Sequence, residues 1–201
     1  SALAMMVVAP SSARVVERFG ARRVVASGLS TVAIGMLLMS TMGVDTPYLH
    51  FLGALIVLSI GMGMTMPPCT ALIMSSLPLG KAGVGSAVND TTRELGGALG
   101  VAVLGSVLAS VYASHLHHAT AKLAPPLAAA ASASLGAALR IDAPGLAAAA
   151  KQAFIDGLGT ATYIGAAVAA LGGLLAFRFL PATTRHLADQ TDQTHPVPIE
   201  A

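Results

Sequence analysis

The segment GLGTATYIGAAVAALGGLLAF, residues 157–177, decides the fold class because it carries no charged side chain over a length that can cross a lipid bilayer. A transmembrane helix needs about 20 apolar residues to span roughly 30 Å of hydrocarbon. Residues 24–44, 46–80 and 95–121 are equally free of formal charge and at least as long. The sequence therefore predicts an all-α fold, a polytopic bundle of transmembrane helices.

The composition of the whole chain excludes an ordinary soluble domain. Of its 201 residues, 55% are hydrophobic and 10% are charged, against about 25% charged in a typical globular protein. The basic residues lie at the ends of the apolar segments, so the net charge of +2 indicates membrane topology and no nucleic-acid partner. No catalytic triad, phosphate-binding loop or paired-cysteine motif is visible, and we expect neither an enzyme site nor a cofactor.

The neutral segments define about four complete spans and the end of a fifth. The spans are predicted near residues 24–43, 49–76, 94–113 and 154–177, and the incomplete helix near residues 1–13. In this interpretation residues 1–180 are the C-terminal transmembrane helices of a larger protein, whose missing N-terminal helices belong to the same chain. Residues 181–201 are polar and contain proline, so we expect a disordered cytoplasmic tail.

The distribution of Lys and Arg predicts the orientation. Under alternation of the spans, eight basic residues fall on one side, and Lys122, Arg140 and Lys151 fall on the other. The eight are Arg14, Arg18, Arg22, Arg23, Lys81, Arg93, Arg178 and Arg185. Because Lys and Arg are enriched in cytoplasmic loops, we expect a cytoplasmic C-terminus in a bacterial cytoplasmic (inner) membrane.

This orientation requires residues 114–153 to form an external loop. The neutral segment 123–139 could be mistaken for a span, but it contains Pro125-Pro126 and consists largely of alanine, which contributes little to membrane insertion. We therefore predict a small helical hairpin that turns near residues 140–144, with Asp142 as an N-cap. Asp156 is predicted to cap the last span.

Small residues predict close helix packing in the last two spans. In the last span they recur every four residues, and such rows let membrane helices approach closely. This row is Gly157, Ala161, Gly165, Ala169 and Gly173, and the preceding span contributes Gly96, Gly97 and Gly100. Contacts within one bundle and a dimerisation seam both remain open.

Glycines and prolines interrupt the second complete span. Gly61, Gly63, Pro67 and Pro68 lie in the sequence GMGMTMPP, and the two prolines remove backbone donors. Interrupted helices often line the substrate path of transporters. A structural kink and a substrate path are both consistent with this pattern.

A charged loop, PSSARVVERFGARR at residues 10–23, precedes the first complete span. It resembles the second-half copy of the cytoplasmic loop motif of the major facilitator superfamily, in which acidic and basic residues and a turn glycine link two helices. The resemblance implies a charged latch formed by Glu17, Arg18, Gly20, Arg22 and Arg23. Ala21 departs from the motif, in which basic residues follow the glycine directly.

Residues 83–105, GVGSAVNDTTRELGGALGVAVLG, resemble the penultimate helix of the fourteen-helix drug/proton antiporter branch of that superfamily (EmrB/QacA-like exporters). The resemblance implies membrane lipid, small amphipathic substrates and protons as partners. Asn89, Asp90, Arg93 and Glu94 are the candidates for a gate or substrate path. A purely structural role, with Asp90 favoured by the helix dipole and Arg93 paired with an acid, is the alternative.

Glu94 stands where the family more often has Gln, so we expect this acid to tune the inward gate. The three residues His115, His117 and His118 lack the spacing and accompanying ligands of a metal site, and we expect them to lie in a solvated loop. No metal ion is predicted.

Together these features predict part of a secondary active transporter that exports drugs or other small amphipathic molecules in exchange for protons. No acid lies in the middle of a span, so the energy-coupling site is expected upstream. The alternatives are a non-transporting polytopic protein, such as an assembly or receptor subunit, and an inactive truncated transporter.

Overall fold

The computed structural model describes residues 15–16, 18–78, 81–121 and 123–180. Within these ranges the chain forms helices and no strands. The helices are α1 (Ala21–Ser40), α2 (Tyr48–Ser75), α3 (Ala82–Thr120), α4 (Pro125–Ala133), α5 (Leu135–Ala138) and α6 (Leu146–Phe179). Four of them, α1, α2, α3 and α6, are long and apolar enough to cross a membrane, with mean hydropathy between 1.5 and 1.8. The predicted all-α class with four spans is confirmed.

Helices α3 and α6 extend beyond the neutral segments that predicted them. Helix α3 begins at Ala82, well before residue 94, and continues to Thr120, while α6 begins at Leu146. A charge ends a neutral segment but does not end a helix, because helices end where capping or backbone geometry requires it. The connection between the two helices is therefore confined to residues 121–145, part of which forms α4 and α5.

Three expectations about acidic residues at helix ends are wrong for this reason. Asp142 caps nothing, since α6 is preceded by Gly145 in the left-handed conformation with φ 81° and no side chain caps it. Asp156 lies well inside α6. Asp90 lies beyond the first turn of α3, which contains no acidic residue, so the dipole at the helix N-terminus does not favour it.

The long helices pack in the order α2, α1, α6 and α3. Helix α1 has extensive contacts with α2 on one side and with α6 on the other, and α6 also packs along α3. Helices α2 and α3 touch at only a few positions. As a result α3 is the least covered span, with 6% of its apolar window buried against 22–33% in the other three.

Glycines allow the closest approaches between these helices. A Cβ added to Gly61 of α2 would lie 2.6 Å from the backbone nitrogen of Val32 and 2.8 Å from the carbonyl oxygen of Gly28, both in α1. A Cβ added to Gly157 of α6 would lie 2.8 Å from the carbonyl oxygen of Leu108 in α3. Backbone atoms meet backbone at these points, so any side chain would separate the helices.

The ends of α3 and α6 enclose a small apolar cluster together with α4 and α5. Its buried members are Tyr112, Leu116, Ala131, Ala138, Leu146, Ala150 and Ala153. The hydroxyl of Tyr112 donates a hydrogen bond of 2.9 Å to the buried carbonyl oxygen of Ala131. The connection between the last two spans is thus packed against both of them, which fixes the position of α4.

Candidate functional site

An open cavity of about 530 Å³ lies between α2 and the N-terminal half of α3. Its lining combines apolar, acidic and basic groups: Met66, Asp90, Thr92, Arg93, Glu94, Gly96 and Gly97. Asp90, Arg93 and Glu94 are exposed on α3. They are three of the four polar residues predicted to form a gate or substrate path, and all three line this cavity. The fourth, Asn89, is buried and does not line the cavity.

Asn89 joins α3 to α2 beside this cavity. The residue is 7% exposed. The Thr70 hydroxyl of α2 donates to its Oδ1 at 3.4 Å, and its Nδ2 donates to Asp90 Oδ1 at 3.4 Å. A buried amide requires such partners because unpaired burial costs about 1–3 kcal/mol. Asn89 therefore positions Asp90 at the edge of the cavity.

In helix α2, the buried glycines and Met66 lie on different faces of the helix. The helix continues through Pro67 and Pro68. Gly61 and Gly63 are buried, and Gly61 faces α1. Met66 is the residue of this segment that lines the cavity. Gly61 therefore belongs to the contact between α1 and α2. The cavity considered as a substrate path lies on the side of α2 that carries Met66.

The small residues of the last two spans differ in their surroundings. In α6, Gly157, Ala161, Gly165 and Gly173 are buried, and Gly165 would meet Met36 of α1 if it carried a Cβ. In α3, a Cβ on Gly96, Gly97 or Gly100 would meet nothing within 4 Å. Leu95, Leu99, Val101 and Val103 are more than half exposed on the same helix. A large apolar face of α3 is therefore uncovered by the described residues.

The predicted latch residues lie at the start of α1. Gly20 precedes the helix with φ 83°, a left-handed conformation that favours glycine, and its N–H donates to Val16 O at 2.8 Å. The Cζ atom of Arg22 lies over the ring of Phe177, 4.4 Å from its centroid. Arg18 and Arg23 are exposed. Glu17, the acidic member of the predicted latch, lies outside the described residues.

One pairing, between His115 and Asp156, was not predicted from the sequence. Their Nδ1 and Oδ2 atoms lie 3.0 Å apart, and this is the single contact of salt-bridge length between a basic and an acidic side chain among the described residues. Gln152 also donates to Asp156 Oδ1 at 2.9 Å. The two partners are 41 positions apart in the sequence, and only the pairing of α3 with α6 brings them together.

His115, His117 and His118 lie in α3 and not in a loop, because the helix continues to Thr120. The described residues contain no cluster of three or more metal-binding side chains.

Comparison with known proteins shows the family. The Major Facilitator Superfamily profile matches residues 1–101. The multidrug efflux pump LfrA of Mycolicibacterium smegmatis is 30% identical over 188 residues, which cover 88% of this chain and 37% of that protein. The puromycin resistance protein pur8 of Streptomyces alboniger is 34% identical over 108 residues, or 52% of this chain and 22% of the relative. The tetracenomycin C resistance and export protein of Streptomyces glaucescens is 33% identical over 106 residues, covering 53% and 20% respectively.

The chain spans little more than a third of the length of LfrA and less of the other two. The family assignment nevertheless rests on half of the chain and agrees with the apolar helices, which mark a membrane protein. It also places the chain among transporters and not among enzyme families. The predicted family is confirmed: this chain belongs to the Major Facilitator Superfamily.

Proposed function

We propose that the chain is the C-terminal part of a secondary active transporter that exports drugs or other small amphipathic molecules. Its relatives include proteins named for multidrug efflux, antibiotic resistance and export. The observation that carries the proposal is the open cavity beside α3, where Met66 provides apolar surface and Asp90, Arg93 and Glu94 provide charge. An amphipathic substrate requires both kinds of surface.

In this proposal upstream helices of the same protein cover the exposed face of α3. The glycines at positions 96, 97 and 100 have space for a neighbouring helix within contact distance, as their predicted packing role requires. Once that face is covered, the cavity between α2 and α3 lies inside the protein and not in lipid. Alternating access then follows from rocking one helical half against the other.

The finer assignments belong to the same proposal. The transporter is a fourteen-helix drug/proton antiporter of a bacterial cytoplasmic membrane, with its C-terminus in the cytoplasm and with no enzymatic activity. The folded connection at residues 121–145 supports this branch, whose members have an extended external loop before the last helix. Protons are coupled at an upstream acid, and Glu94 tunes the inward gate.

The test is transport by the full-length protein carrying Glu94→Gln, which removes a charge at nearly constant volume. Inverted membrane vesicles are energised to create a proton gradient, and uptake of ethidium is followed by fluorescence between pH 6 and 8. We expect Glu94→Gln to change the pH profile of uptake. Asp45→Asn is the matched control, because Asp45 is an exposed acid between α1 and α2, at the other end of the helices.

Two results contradict the proposal in distinguishable ways. Vesicles with the unmodified protein that show no gradient-dependent uptake of any amphipathic probe favour a non-transporting membrane protein. Uptake that occurs with the same rate and pH profile in Glu94→Gln as in Asp45→Asn leaves the exporter standing and removes Glu94 from its gate.

A further inference from the structure

A second pocket, of about 360 Å³, lies where the start of α1 meets the end of α6. It is lined by Phe19, Arg22, Arg23 and Phe177. Arg22 and Arg23 are the second and third residues of α1, and Phe177 lies in the last turn of α6. The pocket is therefore at the ends of two spans, at the depth where lipid headgroups meet the hydrocarbon.

The charges around this pocket are uniformly positive among the described residues. Arg18 and Arg178 are next in sequence to the lining residues Phe19 and Phe177, and their Cζ atoms lie 5.8 Å from the ring centroids of Phe19 and Phe179. No acid occurs between residues 18 and 44 or between residues 157 and 180. Glu17, next to Arg18 in the sequence, is the nearest acidic residue along the chain.

Arg22 lacks part of its expected hydrogen bonding. Its Nε atom is buried and has no hydrogen-bond partner among the described residues. A guanidinium carries five N–H donors in a planar fork that fits a phosphate bidentately. The Arg22 Cζ atom lies over the Phe177 ring, 4.4 Å from its centroid, and this cation–π contact holds the guanidinium at the pocket.

The aromatic walls indicate that the occupant has an apolar part. Phe19 is 51% exposed and Phe177 is 49% exposed, so half of each ring is available to an acyl chain or glycerol backbone. A soluble anion would leave these rings unused. Two arginines beside two half-exposed rings match a molecule with a phosphate at one end and hydrocarbon at the other.

We propose that Arg22 and Arg23, with Phe19 and Phe177, bind the headgroup of an anionic phospholipid. Both guanidiniums donate to the phosphate, and the rings contact the adjoining glycerol and acyl carbons. The bound lipid would link the start of α1 to the end of α6. This assignment is independent of whether the protein exports drugs, and it does not depend on which leaflet the pocket faces.

The experiment measures lipid retention by the delipidated full-length protein. Phosphatidylglycerol or phosphatidylcholine is added in detergent, and bound lipid is counted by native mass spectrometry. We expect phosphatidylglycerol to be retained in preference to phosphatidylcholine, whose ammonium group is repelled by the arginines. Inorganic phosphate at equal concentration should not displace it, because it lacks the apolar part.

Variants separate this site from general attraction to a basic surface. Removing one basic residue near a membrane surface weakens lipid attraction roughly fivefold. Arg23→Gln should lose at least this factor, and Arg22→Lys should lose affinity although its charge is unchanged, since lysine lacks the fork. Lys81→Gln is the matched control, an exposed basic residue next to α3 and outside the pocket.

Three outcomes overturn the proposal. The first is equal retention of the two lipids by the unmodified protein, and the second is displacement of phosphatidylglycerol by inorganic phosphate. The third is retention that stays the same in Arg22→Lys and Arg23→Gln as in Lys81→Gln, the result expected if Glu17 satisfies the arginines instead. Arg23 is exposed, so its variant remains informative even if changes at Arg22 disturb folding.

Discussion

The substitution Gly61→Ala tests whether α1 and α2 meet backbone to backbone. The added Cβ would lie 2.6 Å from Val32 N and 2.8 Å from Gly28 O, and backbone atoms cannot rotate away as a side chain can. Overpacking of this kind costs about 1–3 kcal/mol. Alanine also gains about 1 kcal/mol over glycine in a helix interior, so the substitution must be compared with another Gly→Ala change in the same helix.

Gly53→Ala provides that control, because Gly53 lies in α2 and its Cβ would meet nothing within 4 Å. The gain in helix propensity is common to both variants, and their difference isolates the overpacking of about 1–3 kcal/mol. At roughly 2–4 °C per kcal/mol for a chain of this size, Gly61→Ala should unfold several degrees below Gly53→Ala when followed by circular dichroism in detergent. Equal midpoints, or a higher midpoint for Gly61→Ala, would refute the packing of α1 against α2.

Two further substitutions test the turn before α1 and the connection before α6. Tyr112→Phe removes the hydrogen bond to Ala131 O and leaves a buried carbonyl unpaired, which costs about 1–3 kcal/mol. Limited proteolysis should therefore cleave residues 121–145 faster in this variant. An unchanged cleavage rate would contradict the packing of the connection against α3 and α6. Gly20→Ala places a side chain at a residue with φ 83°, which costs about 1–2 kcal/mol, so the unfolding midpoint of this variant should fall. Gly83 is exposed and has an ordinary φ, so the midpoint of the control Gly83→Ala should not fall.

The sequence was sufficient to predict the fold class but not the faces of the helices. Four neutral segments define four spans because the bilayer requires length and apolarity and little else. Gly61 and Gly97 look alike in the sequence, yet one faces α1 and the other meets no described residue. Which side of a helix is covered depends on packing between distant segments, and a single helix does not encode it.

The ends of helices and the contacts between residues far apart in the sequence could not be predicted for a related reason. The third span was predicted to end near residue 113, whereas α3 continues to Thr120 and brings His115 to Asp156 of α6. The cavity residues Asp90, Arg93 and Glu94 were identifiable, because charges next to a span are rare and expensive. Their neighbour Met66 was not, since its position depends on how α2 packs beside α3.

The most direct test of the proposed substrate path is solvent access at Gly97, which lines the cavity beside α3. In the full-length protein with Cys69→Ser and any other native cysteines replaced, Gly97→Cys is labelled with a membrane-impermeant maleimide in the presence and absence of an exported drug. We predict that Gly97→Cys is labelled and that the drug reduces this labelling. Gly53→Cys lies on a face of α2 that no described residue covers and outside the cavity, and it should be labelled little. Labelling of Gly97→Cys that is absent, or that the drug leaves unchanged, would contradict a substrate path at α3.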